Sequence, residues 1–207
     1  MSNDSFYTIE KPAVAEYKDK GSKFIAYAFP IESVNDFKEK LAAIKKEHPK
    51  ATHHCFAYRL GTDGNNLPAG RQVFRSSDDG EPSGTAGKPI LGQIDSKQAT
   101  NVLIIVVRYF GGTLLGVPGL IHAYKTAAAL VLQITPVVQK PVLINYRLQF
   151  DYTQMNEVMK IVKKYNCLVL KKENQLFNML ETAIPKNRLD EVLYQLKEIQ
   201  TMEIELF

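Results

Sequence analysis

Residues 101–120 read NVLIIVVRYFGGTLLGVPGL, and how they are read decides the fold. Residues 102–107 are all aliphatic and mostly β-branched, the composition of a strand buried on both faces rather than an amphipathic one. A core must therefore close over it from two sides. Arg108, Tyr109 and Phe110 end the run, and Gly111 and Gly112 follow. After Gly116, Pro118 and Gly119, an alanine-rich apolar segment predicts a helix over 120–134. A glycine-rich turn thus joins a buried strand to a helix N-terminus. Two readings of that turn stand. Glycines let backbone N–H groups approach a ligand, and a first helical turn leaves donors unpaired beside a partial positive charge, which suits phosphate or carboxylate. Alternatively the glycines only negotiate a tight corner, since neither G-x-G-x-x-G nor G-x-x-x-x-G-K-[ST] is present.

Upstream of the central strand, residues 6–10 and 14–18 predict short strands around Pro12, and Asp19, Lys20, Gly21 and Ser22 predict the turn of a hairpin whose second arm is 23–29. Lys18, Lys20 and Lys23 cluster at its tip. Ser33 caps a predicted helix ended by Pro49, with Val34, Phe37, Leu41 and Ile44 as its apolar stripe. Residues 52–60, THHCFAYRL, alternate as a strand, with His53, Cys55 and Ala57 on one face and His54, Phe56 and Tyr58 on the other. His53 and Cys55 are too few to hold a metal, because no second pair stands at zinc spacing. After a Gly-, Asn- and Pro-rich loop over 61–72 and a strand stub over 73–75 comes SSDDGEPSGTAGKPIL, residues 76–91. Asp78, Asp79 and Glu81 are close enough in sequence to share a magnesium ion, while Ser83, Thr85 and the glycines offer hydroxyls and backbone donors to an anion. The plain alternative is a surface loop before a short helix over about 85–94. On the helix after the glycine turn, His122, Lys125 and Thr126 form a narrow polar strip, and His122 faces either a phosphate or water.

Residues 135–141 break the pattern and predict a linker. Beyond it the pattern is strand 143–150, helix 153–165, strand 167–172, strand 177–184, helix 186–199 and strand 202–206. That β-α-β-β-α-β order places two helices on one face of a four-stranded antiparallel sheet. The signature of an RNA-recognition motif, aromatics on the exposed face of the central strands, is not evident in it.

Composition narrows the function classes. The 207 residues suit one large or two modest domains. The net charge of +4 lies wholly in residues 1–140, with 17 lysines and arginines against 13 acids, whereas residues 141–207 carry nine of each. A basic bias confined to one domain fits a polyanionic partner. No run of about 18 apolar residues is present to span a bilayer, and MSNDSFYTIEK does not read as a signal peptide, so the expectation is a cytoplasmic chain without a membrane partner. Cys55 and Cys167 suggest no disulfide framework, and no cofactor is expected.

Four stretches, KDKGSKFIA (18–26), ATHHCFAYR (51–59), SSDDGEPSGTAGKPIL (76–91) and NVLIIVVRYFGGTLLG (101–116), taken together in this order, closely resemble the IMPACT family, whose bacterial members carry an additional C-terminal domain. The resemblance is strongest over about residues 15–130. It implies an α+β chain. An N-terminal left-handed β-α-β domain, of the type in domain two of small-subunit ribosomal protein five, would span residues 1–138. A ferredoxin-like domain would span 139–207, and the same pair stands in tandem in the translocation elongation factor. It implies too that eukaryotic relatives regulate translation through the amino-acid-starvation kinase pathway. The family's shared surface maps onto Lys23, His53, Asp79, Glu81, Ser83, Thr85, Arg108, Tyr109, Gly111 and Gly112. Where relatives carry G-G-L-x-[RK]-A-Y, this chain has Pro118-Gly119-Leu120-Ile121-His122-Ala123-Tyr124. Proline suits a helix opening but removes one N–H, and His122 is only partly charged near neutral pH, so anion binding there is expected to be weaker or pH-dependent.

Two functions from different classes follow. The first is a non-enzymatic, translation-associated module whose N-terminal domain meets RNA, the ribosome or a translation factor. Arg108 and Lys23 would contact phosphates, Tyr109 or Phe110 would stack, and the glycine turn would supply its backbone donors. The second is a small-molecule enzyme with a metal on Asp79 and Glu81 and a phosphorylated or nucleotide ligand on the glycine turn.

Overall fold

The structure, a computed structural model, describes residues 4–61, 73–174 and 178–207. The predicted loop over 62–72 and Phe177 of a predicted strand lie outside the described residues. Contacts divide the chain into two compact units, one holding residues 6–61 and 73–140 and the other residues 4–5 and 141–207, among those described.

The first unit is built on a five-stranded antiparallel sheet. Its strands are β2 (Ala13–Asp19), β3 (Ser22–Pro30), β4 (His53–Leu60), β5 (Val73–Ser77) and β6 (Val102–Tyr109), in the order β2-β3-β6-β4-β5. The aliphatic run is therefore the middle strand, as its composition requires. Val102, Ile104 and Val106 enter a core shared with α2 (Gly87–Ser96) and α3 (Gly116–Ile134), while Leu103, Ile105 and Val107 enter a second core with Phe37 and Ile44 of α1 (Val34–Glu47). Each such fully buried side chain contributes about 1.5–3 kcal/mol of transfer free energy. Ser33 caps α1 in a reciprocal box, its Oγ accepting from Asp36 N at 3.1 Å while Asp36 Oδ2 accepts from Ser33 N at 3.0 Å.

Three differences from the sequence reading bear on the loops around this sheet. Helix α3 starts at Gly116 rather than near residue 120, because Pro118 falls inside the first turn, where a missing N–H is no loss. Helix α2 starts at Gly87 rather than 85, and position 87 needs glycine, since a Cβ there would stand 2.7 Å from Ser77 N. The expected linker contains a strand, β7 (Val137–Pro141), which pairs with β1 (Ser5–Ile9) as a two-stranded ribbon.

The second unit has the predicted element order. It comprises β8 (Leu143–Phe150), α4 (Met155–Lys164), β9 (Leu168–Asn174), β10 (Asn178–Pro185), α5 (Leu189–Lys197) and β11 (Glu203–Leu206), with sheet order β11-β8-β10-β9 and every pair antiparallel. Leu148, Phe150, Leu180 and Ile184 face the helices and pack with Val158, Ile161, Val162, Val192 and Leu196. The other face carries a charge ladder, in which Arg147 bridges Glu181 (3.1 Å) and Glu205 (3.3 Å) and Lys171 pairs with Glu173. The acids of these pairs outnumber the bases along that row.

Candidate functional site

Strand register gathers four connections at one end of the first unit's sheet. Lys23, at the start of β3, lies opposite Tyr109 at the end of β6, His53 at the start of β4 lies opposite Arg108, and Phe56 of β4 lies opposite Ser77 at the end of β5. The hairpin tip, the α1–β4 connection, the loop after β5 and the glycine turn after β6 therefore open together. Local hydrogen bonds tie them: Thr52 N donates to Arg108 O (2.8 Å), Phe110 N to Thr52 Oγ1 (3.2 Å) and Gly111 N to Ser22 Oγ (3.2 Å).

The acidic loop meets the end of β6 through a buried ion pair. Arg108 Nη1 donates to Glu81 Oε1 at 2.6 Å, and Tyr124 Oη of α3 donates to the same oxygen at 2.7 Å. Both charged side chains are over nine-tenths buried. The Cys55 thiol lies 3.0 Å from Asp78 O and 3.3 Å from Tyr124 Oη. Burial pushes both the Cys55 thiol and the Tyr124 hydroxyl well above their ordinary values, so both are neutral and the thiol is no nucleophile. His53 Nδ1 stands 2.8 Å from Asp79 O, an atom that only accepts, so Nδ1 carries the proton and Nε2 faces Glu81 Oε1 at 3.8 Å. Arg108, expected as a phosphate contact, is buried with its charge answered by Glu81, and Glu81, expected as a ligand, has its carboxylate engaged by Arg108 and Tyr124.

The donors of the acidic loop are engaged too. Asp78 Oδ2 accepts from Gly84 N (2.8 Å), and Oδ1 accepts from Ala86 N (3.0 Å) and Gly87 N (2.8 Å). The chain's own carboxylate thus fills the anion seat at the start of α2. Asp79 Oδ2 accepts from His54 N (2.7 Å) and Oδ1 from Lys45 Nζ (3.4 Å), while Thr85 Oγ1 donates to Pro82 O (2.7 Å). Ser83 alone among the loop's expected ligands is exposed with no internal partner among the described residues. Asp78, Asp79 and Glu81 serve separate donors and do not converge, and no group of three metal-ligating side chains occurs among the described residues.

Burial works against the Asp78 charge, but the N–H groups of Gly84, Gly87 and Ala86 outweigh it and hold the carboxyl below the ordinary 3.8. The sign follows: the contribution is present above the unfolded value and is lost as pH falls through the lower folded one. Asp78→Asn is expected to lose about 1–2 kcal/mol at neutral pH, within the range of helix caps and dipole contacts. Urea denaturation of the variant and the unsubstituted chain should converge in acid, where the native carboxyl is also neutral.

The remaining expected site residues divide between the two faces of the sheet. Lys23 and Tyr109 sit on the α1 face, opposite Arg108, because neighbours on a strand alternate. Tyr109 Oη is 2.8 Å from His48 Nδ1, and His48 Nε2 is 2.6 Å from Tyr27 Oη. Burial first, then Glu47, pushes the Tyr27 hydroxyl up to about 12. Lys23 Nζ pairs with Glu16 at 2.6 Å. Gly111 answers the close-corner reading: it packs on Gly21, whereas Gly112 is open to solvent with φ +87°. His122 is exposed on α3 with its ring edge-on to Tyr17 at 6.3 Å.

Sequence reasoning missed the roles of Asp78, His48 and Tyr124. For Tyr124 a signal existed, since a tyrosine on the apolar stripe of a buried helix must find a partner for its hydroxyl. At the gathered end, Lys20, Lys46 and Lys50 are exposed and make no ion pair among the described residues, and Phe110 is half exposed. Between Asp95 and Asp151 the chain contains no acid, so neither the glycine turn nor α3 opposes that positive charge.

A family model described as the Impact N-terminal domain matches residues 20–132. A Haemophilus influenzae protein described as an IMPACT family member is 35% identical over 206 residues, covering 96% of this chain and 98% of that one. The IMPACT family member YigZ of Escherichia coli is 31% identical over 195 residues, covering 94% of this chain and 93% of its own length. A crystal structure described as that of a hypothetical protein superimposes with a TM-score of 0.73 at 29% identity, covering 99% of this chain and 98% of that one.

Proposed function

Because the chain belongs to the IMPACT family, we propose that it is a translation-associated module that binds RNA, without catalysis, through the gathered end of the first unit's sheet. The observation that carries this reading is the register that brings the hairpin tip, the α1–β4 connection and the glycine turn together. That register brings the hairpin tip that carries Lys20, and the α1–β4 connection that carries Lys50 and follows Lys46, to the acid-free turn that carries the exposed Phe110 ring. The implied role of eukaryotic relatives in regulating translation supplies the setting, with ribosomal RNA or an RNA-bearing translation complex as partner. The lysines replace Arg108 as the phosphate contacts, with Lys23 and Lys18 at the rim, both tied to Glu16. Lys23, Ser83, Gly112 and His122 are expected site residues that stay at the surface in this reading. We read residues 1–138 as the left-handed β-α-β domain and 139–207 as the ferredoxin-like domain, for which the sheet order β11-β8-β10-β9 is the support. The acid-rich open face of that second sheet leaves the RNA to the first unit. No helix among the described residues is long and apolar enough to cross a membrane, and the cytoplasm is where such partners are met.

The test is filter binding of single-stranded RNA by the full chain across a salt series. The logarithm of affinity is expected to fall with that of salt at about 0.7 per phosphate contact, for a total slope of about −2 to −4. Each of Lys20→Ala, Lys46→Ala and Lys50→Ala is expected to reduce the slope by about 0.7. Absence of binding at low salt, or a slope indifferent to all three substitutions, would end this reading.

A further inference from the structure

The exposed end of a stacked column identifies what kind of RNA the site would take. In the core of the first unit the Tyr124 ring stands edge-on to Phe24, with centroids 5.2 Å apart at 84°. The Arg108 guanidinium lies over the Phe24 ring at 5.5 Å and also over the Phe110 ring at 5.6 Å. Phe24, Tyr124 and Arg108 are buried, whereas Phe110 is 47% exposed. No other ring packs on Phe110 among the described residues. This run of contacts thus leads from the core to solvent, where it ends on the Phe110 ring with the Arg108 guanidinium over it.

That ring is not held there by its own burial. Arg108, which underlies it, is fixed by the 2.6 Å ion pair with Glu81, and the Phe110 backbone N–H is fixed by Thr52 Oγ1. A half-exposed ring on the turn that packs, through Gly111 and Gly21, against the hairpin tip carrying Lys20 has the two parts of a single-strand site: a π face for a base and a cation for its backbone. Tyr109, the other aromatic at this end, lacks that geometry, since it lies on the α1 face with its hydroxyl bound to His48. A base in a duplex is already covered on both faces by its neighbours, and only an unpaired base has a face to give.

We propose that Phe110 is a base-stacking platform that makes this site selective for single-stranded over duplex RNA. The proposal rests on the RNA-binding reading above. The chain contains no tryptophan, so Phe110→Trp places a sole indole reporter at the site. The probe is a mixed-sequence RNA of about ten nucleotides, within the span of a single-strand site, used alone and annealed to its complement.

With the full-length chain, Phe110→Trp keeps a π face and is expected to show quenched emission when the single strand is added, with no quenching by the duplex. Phe110→Ala should weaken single-strand binding about 5- to 150-fold and change duplex binding less than about 2-fold. Phe110→Leu keeps apolar bulk without a π face and should behave as Phe110→Ala. Circular dichroism melting of each variant checks the fold, which a half-exposed ring leaves tolerant of change. Equal binding of single strand and duplex, or a Phe110→Ala variant that binds the single strand normally, overturns the platform while the RNA-binding reading stands. Failure of the unsubstituted chain to bind either RNA at low salt takes both down.

Discussion

Gly111→Ala is expected to cost about 3 kcal/mol or more of unfolding free energy, at or beyond the upper end of what overpacking does. A Cβ at position 111 would stand 1.9 Å from Gly21 C, 2.2 Å from Gly21 O and 2.2 Å from Ser22 N. All three atoms are backbone, so no side chain can swing aside. The reverse approach is nearly as close, because a Cβ on Gly21 would meet Gly111 O at 2.8 Å. Relief requires the hairpin tip to separate from the glycine turn, and with it the ends of β3 and β6. The comparison that isolates this cause is Gly112→Ala. Position 112 has open space around it but φ of +87°, so alanine there meets only conformational strain of about 1–2 kcal/mol. Urea midpoints of the two variants should differ clearly, with Gly111→Ala the less stable. If Gly111→Ala is no worse than Gly112→Ala, the contact between the two glycines does not hold the corner.

The same pair of glycines shows what kind of information the sequence carried. Six consecutive aliphatic residues suffice to place 102–107 in the middle of a sheet, because nothing else buries both faces of one strand. The alternation in THHCFAYRL likewise sorts Cys55 and Ala57 from Phe56 and Tyr58, and the structure puts them in different cores. Strand periodicity could also have separated Arg108 from Tyr109, which alternate across the sheet. They entered one expected site because a shared motif ignores side-chain direction.

Other features depend on closure in three dimensions. The loop over 78–87 offers several N–H donors, but that Asp78 itself accepts three of them follows from how the loop turns back, which spacing does not encode. The pairing of Glu81 with Arg108 depends on the sheet register, as does the approach of the Lys20 hairpin tip to the end of α1 and the connection after it, which carry Lys46 and Lys50. Residues 135–141 read as a linker because Pro136 and Pro141 flank them. Yet prolines are tolerated at the ends of an edge ribbon, and the strand between them forms.

Glu81→Ala is the second substitution expected to be severe, at about 3–5 kcal/mol, because removing one member of a buried ion pair leaves the other charged and unanswered. Arg108 would remain over the Phe24 ring with its guanidinium out of water, and its Nε already lacks a partner among the described residues. Tyr124 Oη would lose its acceptor as well, which adds an unsatisfied donor beside Cys55. Replacing both partners by apolar residues of similar size, Glu81→Leu with Arg108→Met, should cost less than Glu81→Ala alone, since no charge is then left behind. A urea double-mutant cycle measures the coupling, which should be large and of the sign that makes the pair cheaper than the sum of its singles. Singles within about 0.5 kcal/mol of the parent would mean that the pair behaves as a surface contact, contrary to its burial. The double variant also tests the division of labour at the site. If the proposed RNA binding holds, its salt slope should match that of the parent, because Arg108 is buried against Glu81, even where the loss of the cation over Phe110 lowers affinity.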